Sequence, residues 1–362
     1  MVCLKVCMIT KFPPIEGGVS ATAYWLAKGL AETGVEVHVV TNSLSVEEEY
    51  TIPSCDLEGN LPEGVTVHQT ATDTPWHIPF SPLYETKLLD KALEVCAAHQ
   101  IDLLDGFYLI PYGITAFLAA KLTGLPYVIR HGGSDLAKFW QQGVLPTLLR
   151  LTLSQANALL TDRPELRYLN ENCYAIPRYV PDERFFHPNQ KPDRDTLTLA
   201  YVGKINYYWQ HKGLDRILEF WRPYSGSSRL LFLGSGLGKD DFIARCSPAG
   251  VEFLNFVPPW QMPAFLRGVD YLFYLVKNNP VPDFSNLVLE AVASGVRILT
   301  DDLGAFSAYE TYFPVSGYVL AMENFSVPQT VPVRPVGGLQ TTYAAYITAN
   351  LNLYRRVAGR GR

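Results

Sequence analysis

The chain has 362 residues, of which 48% are hydrophobic and 18% charged, and its formal net charge is −5. This composition is typical of a folded protein with two ordinary domains and argues against a disordered chain. The acidic balance, without a dense run of lysine and arginine, argues against nucleic acid as the main partner, because phosphate neutralisation needs clustered cations.

The first half of the sequence alternates strand-like and helix-like segments. "VCLKVCMIT" predicts a strand, "VSATAYWLAKGLAETG" a helix that ends at glycine, and "VEVHVVTN" the next strand. Further helices are predicted near Tyr84 to His99, near Tyr112 to Leu122, and in the region from Leu136 to Gln155. Such alternation predicts a parallel sheet covered by helices on both faces.

A second series of the same kind follows a segment rich in proline and charge, "AIPRYVPDERFFHPNQKPD", which predicts a linker. The predicted fold class is α/β, with two Rossmann-like doubly wound domains facing a cleft. We assign residues 1–180 to the first domain and residues 181–340 to the second. Ligands of open parallel sheets bind at the carboxyl ends of the strands, so residues there are the candidates for a site.

Two loops of the first domain follow predicted strands. Gly17 and Gly18 open the first helix, where backbone N–H groups can meet an anion, and a tight turn is the alternative. The absence of GxGxxG and GxxxxGK[ST] from this loop lowers the expectation of a nicotinamide or P-loop enzyme. In "VIRHGGSD", His131 ends a strand beside a glycine pair, which favours a functional over a structural histidine.

The second domain carries cations and glycines at its strand ends. Lys204 follows a strand and Lys212 precedes a helix, so two ammonium groups there suit a diphosphate, with solvated lysines as the alternative. Gly236 in "FLGSG" repeats the strand-then-glycine pattern. Glu290 lies in the apolar run "VPDFSNLVLEAVASG" and needs a partner, which is either a ribose diol of a ligand or a donor from the protein.

Five motifs in this order resemble the retaining glycosyltransferases of the GT-B fold, most closely glycosyltransferase family 4. They are "KFPPIEGGVS", "RHGGSD", "YVGKINYYWQHKG", "FLGSG" and "VPDFSNLVLEAVASG". The resemblance covers nearly the whole chain and implies sugar transfer from a nucleotide diphosphate sugar with retention at the anomeric carbon. It implies no cofactor and no bound metal, and a glycan, a lipid-linked sugar or a small molecule as acceptor.

The resemblance also implies roles for individual residues. Lys204 and Lys212 match the basic pair that holds the leaving diphosphate, and His131 matches the residue near the transferred sugar. Contacts to the nucleotide side of the donor are implied for Gly17, Gly18, Gly236, Val257, Asn286, Leu287 and Glu290. Glu290 would bind the ribose, Val257 the base through its backbone, and Asn286 and Leu287 the diphosphate through their N–H groups.

The sequence departs from the family pattern in the last motif and at the first basic position. Pro282 stands where the family usually has its first glutamate, and Asp283 beside it is the candidate catalytic replacement. The alternative is that this contact is missing and the donor sugar differs. Lys204 stands in place of the usual arginine, which loses bidentate geometry. Alternative interpretations are a nucleotide-sugar epimerase or glycan phosphorylase of the same fold, and a non-catalytic nucleotide-binding relative.

The predicted location is the cytoplasm, because the N-terminal apolar run is too short for a signal peptide and no stretch reaches the length of a membrane span. The segment "FWQQGVLPTLLRLTLSQ", with Arg150, predicts a core helix, and an interfacial helix on the inner membrane face is the alternative. Residues 341–362 predict a helix with a basic tail. In similar proteins such a helix crosses back to the first domain.

Overall fold

The computed structural model describes residues 3–43, 46–53, 55–71, 80–132, 134–161, 163–186, 196–246, 250–277, 284–328, 333–335 and 338–360. The chain divides into two compact units. The first unit contains Met1–Glu47, Asp56–Tyr179 and Ala344–Arg362, and the second contains Glu48–Cys55 and Val180–Tyr343.

The first unit is built on a seven-stranded sheet in which all neighbouring strands are parallel. Its strands are β1 (Lys5–Ile9), β2 (Glu36–Thr41), β3 (Val65–Gln69), β4 (Leu103–Phe107), β5 (Tyr127–Arg130), β6 (Ala158–Leu160) and β7 (Cys173–Tyr174), in the order β3-β2-β1-β4-β5-β6-β7. Its helices are α1 (Gly18–Glu32), α2 (Phe80–His99), α3 (Ile114–Thr123) and α4 (Pro146–Ser154).

The second unit has a six-stranded parallel sheet. Its strands are β8 (Leu197–Val202), β9 (Ser228–Leu233), β10 (Val251–Leu254), β11 (Tyr271–Phe273), β12 (Arg297–Thr300) and β13 (Val319–Ala321), in the order β10-β9-β8-β11-β12-β13. Its helices are α5 (Leu214–Trp221), α6 (Lys239–Cys246), α7 (Met262–Arg267) and α8 (Asn286–Ala293), and α9 (Tyr343–Arg360) follows.

Burial of the central strands on both faces explains their apolar sequences. Val6, Cys7, Met8 and Ile9 of β1 are completely buried although their side chains alternate between the two faces of the sheet. Parallel sheets need this double cover, because their helical crossovers pack on the faces. The predicted α/β class with two doubly wound sheets is therefore confirmed.

Three details of the predicted elements differ from the structure. The predicted helix region from Leu136 to Gln155 consists of a helical turn over Leu136–Trp140 followed by the separate helix α4. The edge strands β7 and β13 have only two and three residues, too few for an alternating pattern to reveal them. α4 buries Leu149 and Leu153 but exposes Leu151, so only one of its faces is core.

The C-terminal helix α9 carries large side chains into the first unit. Tyr346, Tyr354 and Val357 are each at most 2% exposed. Within the described part of the chain, no helix combines the length and the apolarity that crossing a membrane requires.

Candidate active site

The glycine loop of the first unit ends at α1. Gly17 is the residue before the helix and has φ 117° and ψ 170°, a conformation open almost only to glycine. A Cβ added at Gly17 would meet no atom within 4 Å, so backbone conformation rather than space requires glycine here. Gly18, the first residue of α1, is exposed. The loop thus presents the N-terminal end of a 15-residue helix to an approaching ligand.

His131 directly follows β5 and is only 4% exposed. Its Nε2 lies 2.8 Å from the hydroxyl oxygen of Thr161, which directly follows the neighbouring strand β6. The same hydroxyl oxygen accepts the backbone N–H of Arg163 at 3.0 Å, which leaves the Thr161 hydroxyl hydrogen available for the His131 ring. The two strand ends therefore fix the position of the imidazole.

The Asp135 carboxylate organises the loop that follows His131. It is completely buried and accepts backbone N–H groups from Gly132 at 3.0 Å, from Leu136 at 3.0 Å and from Leu109 at 2.9 Å. A Cβ at Gly132 would lie 3.3 Å from Val19 in the first turn of α1. The histidine loop and the glycine loop are therefore neighbours at the carboxyl ends of the strands.

Tyr108, which follows β4, has a strained backbone. Its φ is +82°, in a region that L-residues other than glycine rarely adopt. The Lys11 ammonium lies 5.4 Å from the centroid of its ring, and the Phe139 ring packs edge-on at 5.9 Å. Strain of this kind concentrates at functional sites. Tyr108 and His131 follow the carboxyl ends of the neighbouring strands β4 and β5.

In the second unit, the two predicted lysines lie together. Lys204 follows β8, and the Lys212 ammonium donates to the backbone carbonyl of Lys204 at 2.8 Å. The Lys204 ammonium lies 3.6 Å from the centroid of the Tyr50 ring. Tyr50 comes from the early segment Glu48–Cys55, which belongs to the second unit. The structure thus brings both cations and an aromatic face to the end of one strand.

The glycine turn after β9 packs against this lysine loop. Gly236 has φ +133°, and a Cβ there would lie 2.6 Å from the carbonyl oxygen of Ile205. A Cβ at Gly234 would lie 2.1 Å from the carbonyl oxygen of Gly203. The close approach that requires these glycines is therefore to the protein's own backbone, which places the turn beside the lysines.

Replacing Gly236 with alanine should destabilise the protein by about 1–3 kcal/mol, because the added methyl group meets both an unfavourable φ and a carbonyl oxygen. Thermal or urea unfolding of the variant measures the change. Gly226→Ala is the matched control, since Gly226 is exposed and a Cβ there meets no atom within 4 Å. Equal stability of the two variants would contradict the packing described.

Helix α8 carries the nucleotide-side candidates. Asn286 and Leu287 are its first two residues and half-buried, and Glu290, one turn along, is 5% exposed. The helix start is held by Tyr309, whose hydroxyl accepts the Ser285 N–H at 2.6 Å. The first N–H groups of a helix have no acceptor within the helix, so this end suits an anion.

Two predicted site residues remain, Val257 and Asp283, and only Val257 is among the described residues. Val257 is half-buried in the loop after β10. Asp283 lies outside the described residues, as does Pro282. Asp301, which follows β12, accepts the N–H of Val276 at 2.8 Å, so this carboxylate holds the loop after the strand.

The predicted residues lie after the carboxyl ends of strands in each sheet. In the first unit, Gly17 and His131 follow β1 and β5 of the order β1-β4-β5. In the second, Lys204, Gly236 and Val257 follow β8, β9 and β10, which are neighbours, and α8 follows β11, which pairs with β8. Each unit thus has its own group of ligand-type residues where open sheets bind ligands.

Comparison with known families finds a match for the part of the chain that contains the first of these groups. The model of the glycosyl transferase 4-like domain matches residues 17–172, which include both loops of the first unit. This part of the chain, less than half of its length, is similar to a glycosyl transferase 4-like domain. The N-acetyl-alpha-D-glucosaminyl L-malate synthase of Bacillus anthracis is 26% identical to the chain over 312 residues, which cover 82% of this chain and 78% of that protein.

Solved structures extend the similarity in fold to both units. HepE from Anabaena, solved in complex with UDP-glucose, has a TM-score of 0.58 at 14% identity over 99% of this chain and 92% of its own. UDP-GlcNAc 2-epimerase from Methanocaldococcus jannaschii has a TM-score of 0.59 at 12% identity over 97% and 100% of the two chains. At such identities the likeness shows the fold alone. The fold is GT-B, as the resemblance implied, and the matches together support a glycosyltransferase of the GT-B type.

In each unit the structure places further residues beside the predicted ones, and the sequence did not single them out. Thr161 and Tyr50 carry no motif signal, because each meets its partner through the fold rather than through spacing in the chain. Asp135 belongs to the motif "RHGGSD". The only feature of the sequence that could have indicated its hydrogen bonds to the loop is a carboxylate three residues after Gly132.

Proposed function

We propose that the protein transfers a hexose or N-acetylhexosamine from a UDP-sugar to an acceptor hydroxyl, with retention of configuration at the anomeric carbon. The observation that carries the proposal is that Lys204 and Lys212 lie together at the end of β8. The Lys212 ammonium lies 2.8 Å from the backbone carbonyl oxygen of Lys204. Departure of a nucleoside diphosphate leaves negative charge on phosphate oxygens. Two fixed ammonium groups stabilise that charge without reorganising.

Helix α8 supplies the other donor contacts in this proposal. The N–H groups of Asn286 and Leu287 bind the diphosphate, and the Glu290 carboxylate accepts hydrogen bonds from the ribose hydroxyls. Glu290 is 5% exposed, so a hydrogen bond that its carboxylate accepts there is shielded from water. Asp283 is proposed as the residue that contacts the hydroxyls of the transferred sugar.

His131 is proposed to contact the transferred sugar through its ring nitrogen. The hydrogen bond to Thr161 fixes the ring plane, and near-attack geometry depends on positioning of this kind. A front-face displacement, in which the acceptor enters on the side that the diphosphate leaves, needs no protein nucleophile and gives retention. We propose that this reaction needs no cofactor and no metal ion.

The names of the relatives guide the choice of donor and acceptor. HepE is described in complex with UDP-glucose, which supports a uridine nucleotide. The name of the Bacillus anthracis relative specifies an alpha-linked N-acetylglucosaminyl group on L-malate, which supports a retained alpha linkage and a small-molecule acceptor. A glycan or a lipid-linked sugar as acceptor would bring a cytoplasmic enzyme to the inner membrane face. Product analysis with L-malate, with oligosaccharides and with lipid-linked sugars in vesicles distinguishes these acceptors.

A ligand screen of wild type and of Glu290→Ala tests the proposal. Wild type should be stabilised by UDP more than by GDP, ADP or dTDP, and should slowly hydrolyse a UDP-sugar. Glu290→Ala should bind UDP about 10–100-fold more weakly, because a hydrogen bond to a charged group contributes about 1.5–3 kcal/mol. Glu219→Ala is the matched control, since Glu219 is an exposed carboxylate on α5 of the same unit.

Two results would count against the transferase. Equal UDP affinity of Glu290→Ala and Glu219→Ala would remove Glu290 from the donor site. UDP binding without consumption of any UDP-sugar would favour a non-catalytic nucleotide-binding protein.

An epimerase is the second candidate, because the fold match to UDP-GlcNAc 2-epimerase spans 97% of this chain. The two reactions differ in their products. An epimerase converts the donor into a stereoisomer in which the nucleotide is still attached to the sugar. NMR of the sugar after incubation without acceptor distinguishes an epimerised sugar from the hydrolysed donor that a transferase releases.

A further inference from the structure

Three histidines meet in the first unit, away from every motif discussed above. His38 lies on β2, His68 lies on the neighbouring edge strand β3, and His99 is the last residue of α2. Each offers one ring nitrogen, and the three nitrogens lie within 4.8 Å of one another. His38 is 2% exposed, and the other two are half-buried.

Two of the nitrogens already point at each other. The Nδ1 atom of His38 lies 3.0 Å from the Nε2 atom of His68. In a tetrahedral zinc site with Zn–N bonds of 2.0–2.1 Å, two ligand nitrogens are about 3.3–3.4 Å apart. A few tenths of an ångström of side-chain movement therefore suffices for these two rings to share an ion.

The third ring is close enough to join them. The His38 and His99 ring centroids are 4.2 Å apart, and those of His68 and His99 are 5.2 Å apart. His99 ends a helix and is half-buried, so rotation about its side-chain torsions can turn a nitrogen toward the other two. No backbone rearrangement is needed.

A carboxylate sets the tautomer of the central histidine. The Nε2 atom of His38 lies 2.9 Å from Oε1 of Glu36, and the Lys5 ammonium lies 3.0 Å from the other oxygen of the same carboxylate. The ionised carboxylate accepts a hydrogen from Nε2, which leaves the lone pair of His38 on Nδ1, the atom that faces His68. Metal-binding histidines are commonly oriented in this way by a carboxylate on the other ring nitrogen.

We propose that His38, His68 and His99 form a binding site for one divalent transition-metal ion, with Zn²⁺ as the favoured ion and with Glu36 orienting His38. Three imidazoles suit zinc and disfavour magnesium and calcium, which prefer oxygen ligands. A water molecule completes the tetrahedron. The ion joins the edge strand β3, its neighbour β2 and the end of α2.

The charges around the cluster are compatible with this ion. Lys5 pairs with Glu36, and Lys91 pairs with Glu94. Neutral imidazole is the form that binds metal. His68 moves its hydrogen from Nε2 to Nδ1 when Nε2 binds the ion.

Metal binding to the full chain without an affinity tag tests the proposal. The protein is stripped with a chelator and then titrated with Zn²⁺ against a chromogenic competitor, and Co²⁺ is used as a spectroscopic probe. We expect about one ion per chain and the intense visible bands of tetrahedral Co²⁺. We also expect Zn²⁺ to raise the Tm of the stripped protein in a concentration-dependent way.

Two variants and one control localise the binding. His99→Gln should lose the tetrahedral Co²⁺ bands, and Glu36→Gln should weaken Zn²⁺ binding about 10–100-fold, the range found for outer-shell partners of zinc ligands. His211→Gln replaces an exposed histidine of the second unit and should bind as wild type does.

Other outcomes would overturn the proposal. Octahedral Co²⁺ spectra, or Zn²⁺ binding that His99→Gln leaves unchanged, would show that the three histidines are packed neutral rings and that ions bind elsewhere. Wild-type titration gives the stoichiometry and the spectrum by itself, so the proposal can fail even if a variant does not fold.

Discussion

Lys212→Met should lower kcat for sugar transfer by about 10²–10³-fold, the loss seen when one fixed donor is removed from developing negative charge. Methionine keeps much of the methylene stem but removes the ammonium group. The effect should fall on kcat more than on KM, because charge on the departing diphosphate develops in the transition state. Initial rates with the donor found by the nucleotide screen measure both constants.

The expected loss of activity depends on the fixed position of the Lys212 ammonium beside Lys204. The Lys212 ammonium is fixed by the Lys204 carbonyl at 2.8 Å, so it has a single location rather than a range of solvated ones. Lys121→Met is the matched control, since Lys121 is an exposed lysine on α3 and its loss changes the net charge equally. A kcat for Lys212→Met within about threefold of the Lys121→Met value would remove Lys212 from the proposed mechanism, because a lost fixed donor costs far more.

Patterns that repeat along the chain predicted the fold. Strands such as β1 and helices such as α1 have local signatures, namely apolar runs bounded by glycine and proline, and their alternation predicts a parallel sheet. The predicted glycine and lysine positions could be placed at strand ends for the same reason. Very short edge strands such as β7 were not predicted, because two residues are too few to show alternating hydrophobicity.

Contacts between distant parts of the chain could not be predicted in this way. Tyr50 and Lys204 are separated by most of a domain in sequence, and nothing in the local pattern around Tyr50 predicts that its segment belongs to the second unit. The three histidines are likewise about thirty residues apart from one to the next, far from the short spacings that identify metal sites in a sequence. Tertiary structure supplies both sets of neighbours.

The buried ion pair beneath the His131 loop should be the most sensitive structural element of the first unit. Arg130 directly precedes His131, and its Nε donates to the Asp105 carboxylate at 3.0 Å. The other end of the guanidinium donates to the Tyr354 hydroxyl at 2.7 Å and to Asn350 at 3.0 Å, both on α9. Burial raises the pKa of Tyr354 well above its usual range, so its hydroxyl stays protonated and donates to Asp105.

Asp105→Ala should therefore destabilise the first unit by about 3–5 kcal/mol, because it leaves the Arg130 charge buried without its carboxylate. For a unit of this size the loss corresponds to a Tm lowered by about 6–20 °C. The double variant Asp105→Ala/Arg130→Met should recover much of the stability, since removal of both charges leaves no unpaired ion. Glu32→Ala, which breaks the partly exposed Lys28–Glu32 pair on α1, should cost about 1 kcal/mol or less. If Asp105→Ala were no more destabilising than Glu32→Ala, α9 would not be anchored by this network, and the position of His131 would depend on other contacts, among them those of Asp135 and Thr161.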